Sequence, residues 1–205
     1  MPLGSAYATL SQLKKRVGVH DPSDTEHDVE LLSALAAASE GIEDYCNRQF
    51  NNDGVATPRI FDEAYGKTLF VDDFYDDDIV VRTVYRDGSY GYEWQATDFQ
   101  IEPLNGLVRG RPFAYYRLRA YDRHWCDSGI GWDTRIEVTA KWGWASVPAN
   151  VSEACLILAA EKYMLKDAPL GIAGFNQGIG TIRVKKNPIA CEMLHRYVRN
   201  RSMFA

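Results

Sequence analysis

The chain has 205 residues, of which 46% are hydrophobic and 25% charged, and its formal net charge is −5. These are ordinary values for a globular protein, so they exclude a disordered chain, and the length suits one domain or one core with a large insertion. Residues 1–17 lack the uninterrupted apolar segment of a secretory signal, and no run approaches the roughly 18 apolar residues of a membrane span. We therefore expect a soluble protein made in a cytoplasm. Its four cysteines include no CxxC pair, and we expect them to be buried, reduced thiols.

Two helices are predicted near the N-terminus. The first begins at Thr9, whose hydroxyl forms a capping box with Gln12, and ends at Gly18. The second is predicted to be capped by Thr25 and ended by residues 51–54. Its apolar stripe is expected to pack against one partner helix or a neighbouring subunit. The stripe consists of Leu31, Leu35, Ala38, Ile42 and Tyr45, of which Leu31, Leu35, Ile42 and Tyr45 are the candidates for packing between subunits.

Residues 55–142 are predicted to form a β-rich insertion. Short runs of β-branched and aromatic residues alternate with turn-forming residues, which is typical of an antiparallel sheet or a small barrel. Asn105-Gly106 is predicted to form a two-residue hairpin turn before Leu107-Val108. The predicted strands are 59–61, 68–71, 79–85, 99–101, 115–118 and 136–140.

Helix is predicted again after Pro148, with Asn150 as the cap and Glu153 as its reciprocal acid. This helix is apolar on most sides, so we expect it to be buried. A last helix is predicted to begin at Asn187-Pro188, where the asparagine caps and the proline occupies the first turn. Its inward residues are expected to be Ile189, Met193, Tyr197 and Val198.

These elements predict an α+β fold, in which N- and C-terminal segments form a small antiparallel helix bundle and a large antiparallel β region is inserted between them. The predicted helical core comprises residues 1–54 and 143–167. The inserted β-rich subdomain comprises residues 55–142. Residues 168–205 are predicted as a flexible, glycine-rich segment followed by the C-terminal helix.

The charges are unevenly distributed along the chain. Residues 51–100 hold eleven acidic and four basic residues, whereas residues 166–205 hold seven basic and two acidic ones. This polarity suits head-to-tail docking between copies or with stacked partners. The acidic run is expected to be a solvated loop rather than a calcium site, because the glycine and closing glutamate of an EF-hand are not in place. Its aspartates are Asp72, Asp73, Asp76, Asp77 and Asp78.

A basic and aromatic stretch, residues 109–123, supports an alternative function. Strand alternation places Arg117 and Arg119 on one face, where they could contact phosphate, so the chain could be a cytoplasmic nucleic-acid-binding module. A solvated sheet face with its aromatic residues packed on the other side explains the same pattern. A third class, a hydrolase built on His124 and Cys126, lacks any demonstrable base or zinc-ligand spacing, and we expect no catalytic residue, metal or cofactor.

Three segments of the chain carry distinctive motifs. Residues 7–18 form a short opening helix, and residues 28–50 form a second helix that ends in Tyr45, Arg48 and Phe50. Residues 142–174 contain Trp142-Gly143, Val147-Pro148, a Leu- and Ala-rich helix, Tyr163, and Asp167 to Gly174. Together these segments resemble the two N-terminal helices and the C-terminal signature of the phage head–tail connector family, also called adaptor or head-completion proteins.

The resemblance implies a non-enzymatic structural subunit of a tailed bacteriophage virion, assembled in the host cytoplasm. Members of this family form a cyclic ring of about a dozen copies. The ring binds the portal protein on one side and a stopper or tail-completion protein on the other, and DNA passes through its lumen without sequence-specific binding. No membrane is implied.

On that resemblance we expect two surfaces. The five aspartates of the acidic run are candidates for the lumen or rim, where they would repel DNA. Residues 168–205 are expected to be a portal-docking arm. Its interface candidates are Pro169, Leu170, Gly171, Phe175, Arg183, Lys185, Lys186, Arg196, Arg199 and Arg201.

Overall fold

The computed structural model describes residues 6–19, 21, 23–52, 54–62, 64–125, 134–164 and 187–199. The chain divides into two compact units, one formed by Met1–Phe50 with Val147–Ala205 and the other by Asn51–Ser146. The first unit contains the described α-helices, and the second contains the described strands and one 3₁₀ turn, Leu104–Gly106. The predicted α+β fold, with helices at both ends and a large central antiparallel β region, is confirmed.

Helix α1 spans Leu10–Val17, and its capping box between Thr9 and Gln12 is confirmed. It ends as predicted at Gly18, which has a φ of 86°. A left-handed residue at this position lets the chain leave a helix, and glycine adopts it without steric cost.

Helix α2 spans Asp28–Cys46, so the prediction that Thr25 caps it is wrong. The carbonyl of Thr25 accepts from the amide of Asp28, 3.2 Å away, within a turn that precedes the helix. His27 occupies the capping position without a side-chain hydrogen bond. The helix also ends earlier than predicted, because Asn47 takes a left-handed conformation with a φ of 49°.

The apolar stripe of α2 packs inside its own chain. Leu31, Leu35 and Ile42 are buried in the first unit, where α2 packs against α3, Ala149–Met164. A partner helix of the same chain, one of the two predicted alternatives, therefore covers these side chains. Tyr45 lies at the end of the stripe and is partly exposed.

Helix α3 begins before Asn150, so the prediction that Asn150 caps it is wrong. The carbonyl of Pro148 already accepts from the amides of Val151 and Ser152, at 2.9 and 3.1 Å. Asn150 is consequently in the first turn. The expected burial of the helix is borne out, and its buried side chains are Val151, Ala154, Cys155, Leu156 and Ala159.

Helix α4 spans Pro188–Leu194, and its predicted start is confirmed because the Asn187 side chain accepts from two backbone amides at 3.0 Å. A 3₁₀ turn, His195–Tyr197, follows it. The prediction that Ile189 faces inward is wrong, since this side chain is 57% exposed. The prediction for Tyr197 is confirmed, since it is buried together with Ala190 and Leu194, whereas Met193 and Val198 are partly buried.

The described residues of the second unit form two four-stranded antiparallel sheets and a separate two-stranded ribbon. The strands are β1 (Ala56–Phe61), β2 (Ala64–Tyr65), β3 (Thr68–Phe74), β4 (Val80–Val84), β5 (Tyr90–Trp94), β6 (Phe99–Glu102), β7 (Leu107–Val108), β8 (Arg111–Pro112), β9 (Tyr115–Ala120) and β10 (Arg135–Lys141). One sheet has the order β1-β10-β4-β5 and the other β2-β3-β9-β6. All pairs of neighbouring strands are antiparallel.

The core of the second unit is formed by side chains from both four-stranded sheets. Val81, Ile136 and Val138 come from the first sheet, while Leu69 and Leu118 come from the second. Since successive side chains of a strand point to opposite faces, the residues that alternate with these core residues point outward, and most of them are polar. Among the other buried side chains of this unit are four tryptophans, namely Trp94, Trp125, Trp142 and Trp144.

The predicted hairpin turn at Asn105-Gly106 is wrong in its position. Both residues have positive φ values, 57° and 60°, but they connect β6 to β7, which do not pair with each other. The turn between the paired strands β7 and β8 is Arg109-Gly110, with φ values of 51° and 71°. Two consecutive left-handed residues are the requirement of the type I′ turn that joins such strands.

Candidate interface surfaces

Trp142 closes the core at the end of β10. Its indole nitrogen donates to the carbonyl of Thr57 over 2.7 Å, and the guanidinium of Arg59 lies 4.6 Å from its ring centroid. Its backbone forms a bridge with Phe74 at the end of β3, which links the two sheets at this corner. The tryptophan of the Trp-Gly pair is therefore a packing residue.

Gly143 makes the closest backbone approach in this corner. With a φ of 95°, it lies so near Asn51 that a Cβ atom would meet the Asn51 carbonyl oxygen at 1.8 Å. Its amide donates to the carbonyl of Asp73 over 2.6 Å. The carboxylate of Asp73 accepts from the indole nitrogen of Trp144 over 2.8 Å, and Asn52 donates to the Trp144 carbonyl. Residues 142–144 thus fix the point where the chain enters and leaves the second unit.

The acidic run is only partly a solvated loop, which corrects the prediction. Asp72 and Asp73 belong to β3, and Asp72 forms an ion pair with Arg59 at 2.7 Å. Asp73 is buried, with its carboxylate bonded to Trp144. Because its carboxylate is enclosed, Asp73 is excluded from the candidates for a lumen or rim surface.

The remaining three aspartates lie in the turn that leads from β3 to β4. Asp76 pairs with Lys141 at 2.6 Å, and the hydrogen bond from this ammonium group lowers the pKa of the Asp76 carboxyl. Asp77 and Asp78 are exposed. These two are the acidic side chains of the run that face solvent freely, and they remain candidates for contact with DNA or a partner.

Strand β9 has the predicted alternation. Leu118 and Ala120 are buried, while Arg117 and Arg119 belong to the opposite face. Arg117 forms an ion pair with Glu102 of β6, so much of its charge is neutralised. Arg119 is exposed. This face therefore offers fewer available cations than the sequence of residues 109–123 suggests.

The ribbon, which we define as residues 104–112, belongs to neither four-stranded sheet. Leu104 and Leu107 are 58% and 44% exposed, and Arg109 and Arg111 are exposed as well. Sequence reasoning missed the ribbon as an exposed element. The sequence signal for the ribbon was the glycine of Arg109-Gly110, which marks a turn between Leu107-Val108 and Arg111-Pro112.

The C-terminal segment 195–199 is packed onto the end of α2. The backbone of Arg199 donates to the carbonyl of Cys46 over 2.8 Å, and Arg48 donates to the carbonyl of Tyr197 over 2.7 Å. The ring of Phe50 contacts Tyr197 edge-on at 5.6 Å and Tyr7 at the same centroid distance. Arg48 and Phe50, two residues on which the resemblance rests, thus hold the chain's last described residues.

This packing changes the interpretation of the predicted docking arm. Within residues 168–205, the described part is residues 187–199, and it belongs to the helical unit. Arg196 stacks near Tyr197, 5.1 Å from its ring centroid, and is partly buried. Arg199, the second candidate in this part, is also partly buried. The remaining portal-interface candidates lie outside the described residues, namely Pro169, Leu170, Gly171, Phe175, Arg183, Lys185, Lys186 and Arg201.

Three of the four cysteines lie in the described part of the chain as free thiols. Burial raises the pKa of Cys46 to about 12 and also raises the pKa of Cys155, so both are poor nucleophiles at neutral pH. Cys126, the predicted partner of His124, lies outside the described residues. Across the described ranges, no three His, Cys, Asp or Glu side chains are grouped to hold a metal ion, and no helix is long and apolar enough to cross a membrane.

No protein-family model and no curated protein matches this chain. Solved structures do match it over nearly its whole length. A chain from the neck of an empty gene transfer agent (GTA) particle, computed with C6 symmetry, is 16% identical with a TM-score of 0.61, covering 95% of this chain and 91% of that one. The chain shares its fold with a GTA neck protein.

Two further structures agree. A chain from the virion of the native GTA particle is 18% identical with a TM-score of 0.59, covering 95% of this chain and 91% of that one. A chain from the neck of the native GTA particle, computed with C12 symmetry, is 19% identical with a TM-score of 0.54, covering 98% and 97%. This shared fold supports the resemblance that the sequence motifs indicated.

Proposed function

We propose that this protein is a structural, non-enzymatic subunit of the neck of a tailed phage or phage-like particle. The observation that carries the proposal is the fold shared with GTA neck chains over at least 95% of this chain. The residues that carry the resemblance add independent support, because they lie at packing positions in this fold. Trp142, Gly143 and Phe50 each stabilise a contact that the fold requires.

In this proposal, copies of the chain form a closed ring of about a dozen subunits around the DNA channel. The ring joins the portal protein on one side to a stopper or tail-completion protein on the other. Two of the neck structures that share the fold were computed with C6 and C12 symmetry, which is consistent with a ring. DNA passes through the lumen without sequence-specific contacts.

The functional surfaces are distributed over the two units and the segment between α3 and α4. The helical unit acts as the scaffold, and residues 168–186 with their basic side chains act as the portal-docking arm. Asp77 and Asp78 are the acidic side chains available at the rim or lumen. The segment 187–199 anchors the arm, because it is packed onto α2 and α3.

Deleting the gene from the strain that produces the particle tests this function. Without the subunit, we expect DNA-filled heads and detached tails in electron micrographs. Resupplying the chain with a small tag is expected to restore whole particles and to label the neck. Complete tailed particles in the deletion strain, or purified particles lacking the tagged chain, would contradict the proposal. Salt-dependent binding of the free chain to DNA, without incorporation into particles, would favour the nucleic-acid-binding module instead.

A further inference from the structure

The ribbon, residues 104–112, is exposed without an evident role in its own fold. An isolated pair of short strands is marginally stable in water. The ribbon is fixed at its base, where the amide of Phe113 donates to the carbonyl of Gly106 over 2.8 Å. Leu107 is exposed just beyond that base, and Leu104 is exposed in the 3₁₀ turn that leads into it. Two large exposed apolar groups on one small element are typical of a contact surface.

The charge of the ribbon has a single sign. It contains Arg109 and Arg111 and no acidic residue. Both arginines are exposed: Arg109 lies at the turn, two residues after Leu107, and Arg111 pairs with Val108 across the ribbon. The surface that fits the ribbon must therefore offer apolar side chains together with carboxylates.

The outer face of α2 has that composition. Val29 and Leu32 are 80% and 52% exposed, and Ala36 is exposed one helical turn further on. These three residues follow spacings of three and four, so they form one continuous outward stripe. Glu30 is exposed next to Val29, Glu40 is exposed one helical turn beyond Ala36, and α2 contains no lysine or arginine. This stripe is distinct from the buried one formed by Leu31, Leu35 and Ile42.

We propose that the ribbon of one copy binds the outer face of α2 on the neighbouring copy, and that this contact closes the ring. The inference rests on the proposed function, because it assigns the surfaces through which the ring subunits meet. Leu104 and Leu107 pack against Val29 and Leu32, and the arginines meet the α2 carboxylates at the rim. The apolar centre supplies attraction, and the charges fix partner and orientation.

The contact is heterologous, since the ribbon and α2 are different surfaces. A heterologous contact between identical subunits generates a ring when its rotation closes, and each copy then uses both surfaces once. The two surfaces come from different units of the chain, the β-rich one and the helical one. An isologous contact between two ribbons is disfavoured, because it would bring arginines of like charge together.

Cross-linking in assembled particles tests the contact. Particles are produced with the variant Leu32→Cys/Leu107→Cys as the sole source of this chain. The purified particles are treated with a short bismaleimide and examined on a denaturing gel. Because each copy would be joined to a different neighbour at each surface, we expect a ladder that extends well beyond the dimer. The control Leu32→Cys/Tyr121→Cys places its second thiol at a similarly exposed position outside the ribbon, where no ladder is expected. The wild-type chain gives the background from its own cysteines.

Every other outcome overturns the inference, and the outcomes also distinguish failure of the contact from failure of the proposed function. The contact is excluded if the variant enters particles but gives no ladder, gives a product that stops at the dimer, or is joined to a different protein. In each of these cases the chain is still part of the neck. A chain that never enters particles, wild type included, contradicts the proposed function itself. Cross-linking through Tyr121→Cys as strong as through Leu107→Cys also counts against the contact.

Charge reversal provides a second test that does not depend on cysteine geometry. Arg109→Glu/Arg111→Glu and Glu30→Lys/Glu40→Lys are each expected to lower the amount of chain per particle by about tenfold or more, because like charges would then oppose each other. The combined variant is expected to recover much of the loss. The matched control Arg119→Glu reverses an exposed arginine of β9 and should leave incorporation unchanged. The proposal is overturned if either charge-reversed double variant is incorporated fully. It is also overturned if all variants fold but the combined variant recovers none of the lost incorporation.

Discussion

Gly143 and Asn51 are in contact through their backbones, and a Cβ atom on Gly143 would lie 1.8 Å from the Asn51 carbonyl oxygen. No rotamer change can relieve this clash, because the obstructing atom belongs to the main chain. We expect Gly143→Ala to destabilise the β-rich unit by about 2 kcal/mol or more. Gly88→Ala is the control, because Gly88 has a similar φ of 83° but no neighbour within 4 Å, so it should cost only about 1 kcal/mol. Urea unfolding followed by tryptophan fluorescence measures both, and equal costs would contradict the role of Asn51.

Asp72 and Asp73 are adjacent in β3 but have opposite environments. Asp73→Ala leaves the Trp144 indole nitrogen without its acceptor in a buried site, and we expect a loss of about 1–3 kcal/mol. Asp72→Ala removes a partly exposed ion pair with Arg59, for which the loss is expected to be below about 1 kcal/mol. Chemical unfolding of the two variants under the same conditions provides the comparison. A larger loss for Asp72→Ala would show that the indole contact contributes little.

The C-terminal segment contributes to the helical unit. Tyr197 is buried and contacts Phe50 edge-on, so Tyr197→Ala should lower the stability of this unit by about 3 kcal/mol. Ile189→Ala, on the exposed side of α4, should change it by less than about 0.5 kcal/mol. Removal of residues 187–205 is expected to be more damaging than either substitution. Thermal unfolding followed by circular dichroism tests this order, and an unaffected truncated chain would mean that the segment is dispensable for folding.

Short-range sequence patterns predicted the start of a helix only where the capping side chain alone decides the position. Thr9 and Asn187 cap helices as predicted, because their oxygens accept from amides two or three residues away. Thr25 and Asn150 are equally suitable residues that do not cap. The carbonyl of Pro148 accepts the first hydrogen bonds of α3, so the helix begins at Ala149, two residues before the start that a cap at Asn150 implies. The identity of Asn150 as a good capping residue does not reveal this.

The strands with apolar alternation were predictable, and the exposed ones were not. Strand β5 has mostly exposed side chains and a glycine, so no burial pattern marks it, and it was missed. The acidic run shows the same limit, since its sequence does not distinguish the buried Asp73 from the exposed Asp77. That difference depends on Trp144, which is 71 residues away along the chain. Contacts at such separations arise from the register of the sheets, which local composition does not determine.

The ion pair between Asp76 and Lys141 should make a small, pH-dependent contribution to the stability of the β-rich unit. The hydrogen bond from Lys141 lowers the pKa of Asp76 below its ordinary value of 3.8 in the folded protein. The folded state therefore binds a proton less readily than the unfolded state, so the stabilisation is present above about pH 4 and is lost as the pH falls through the lower, folded-state pKa. Asp76→Asn should be less stable than the wild-type chain at pH 6 and equal to it at strongly acidic pH, whereas Asp77→Asn, at an exposed position, should show no such difference. Urea midpoints measured across this pH range test the prediction, and a gap between Asp76→Asn and wild type that persists unchanged into acid would contradict it.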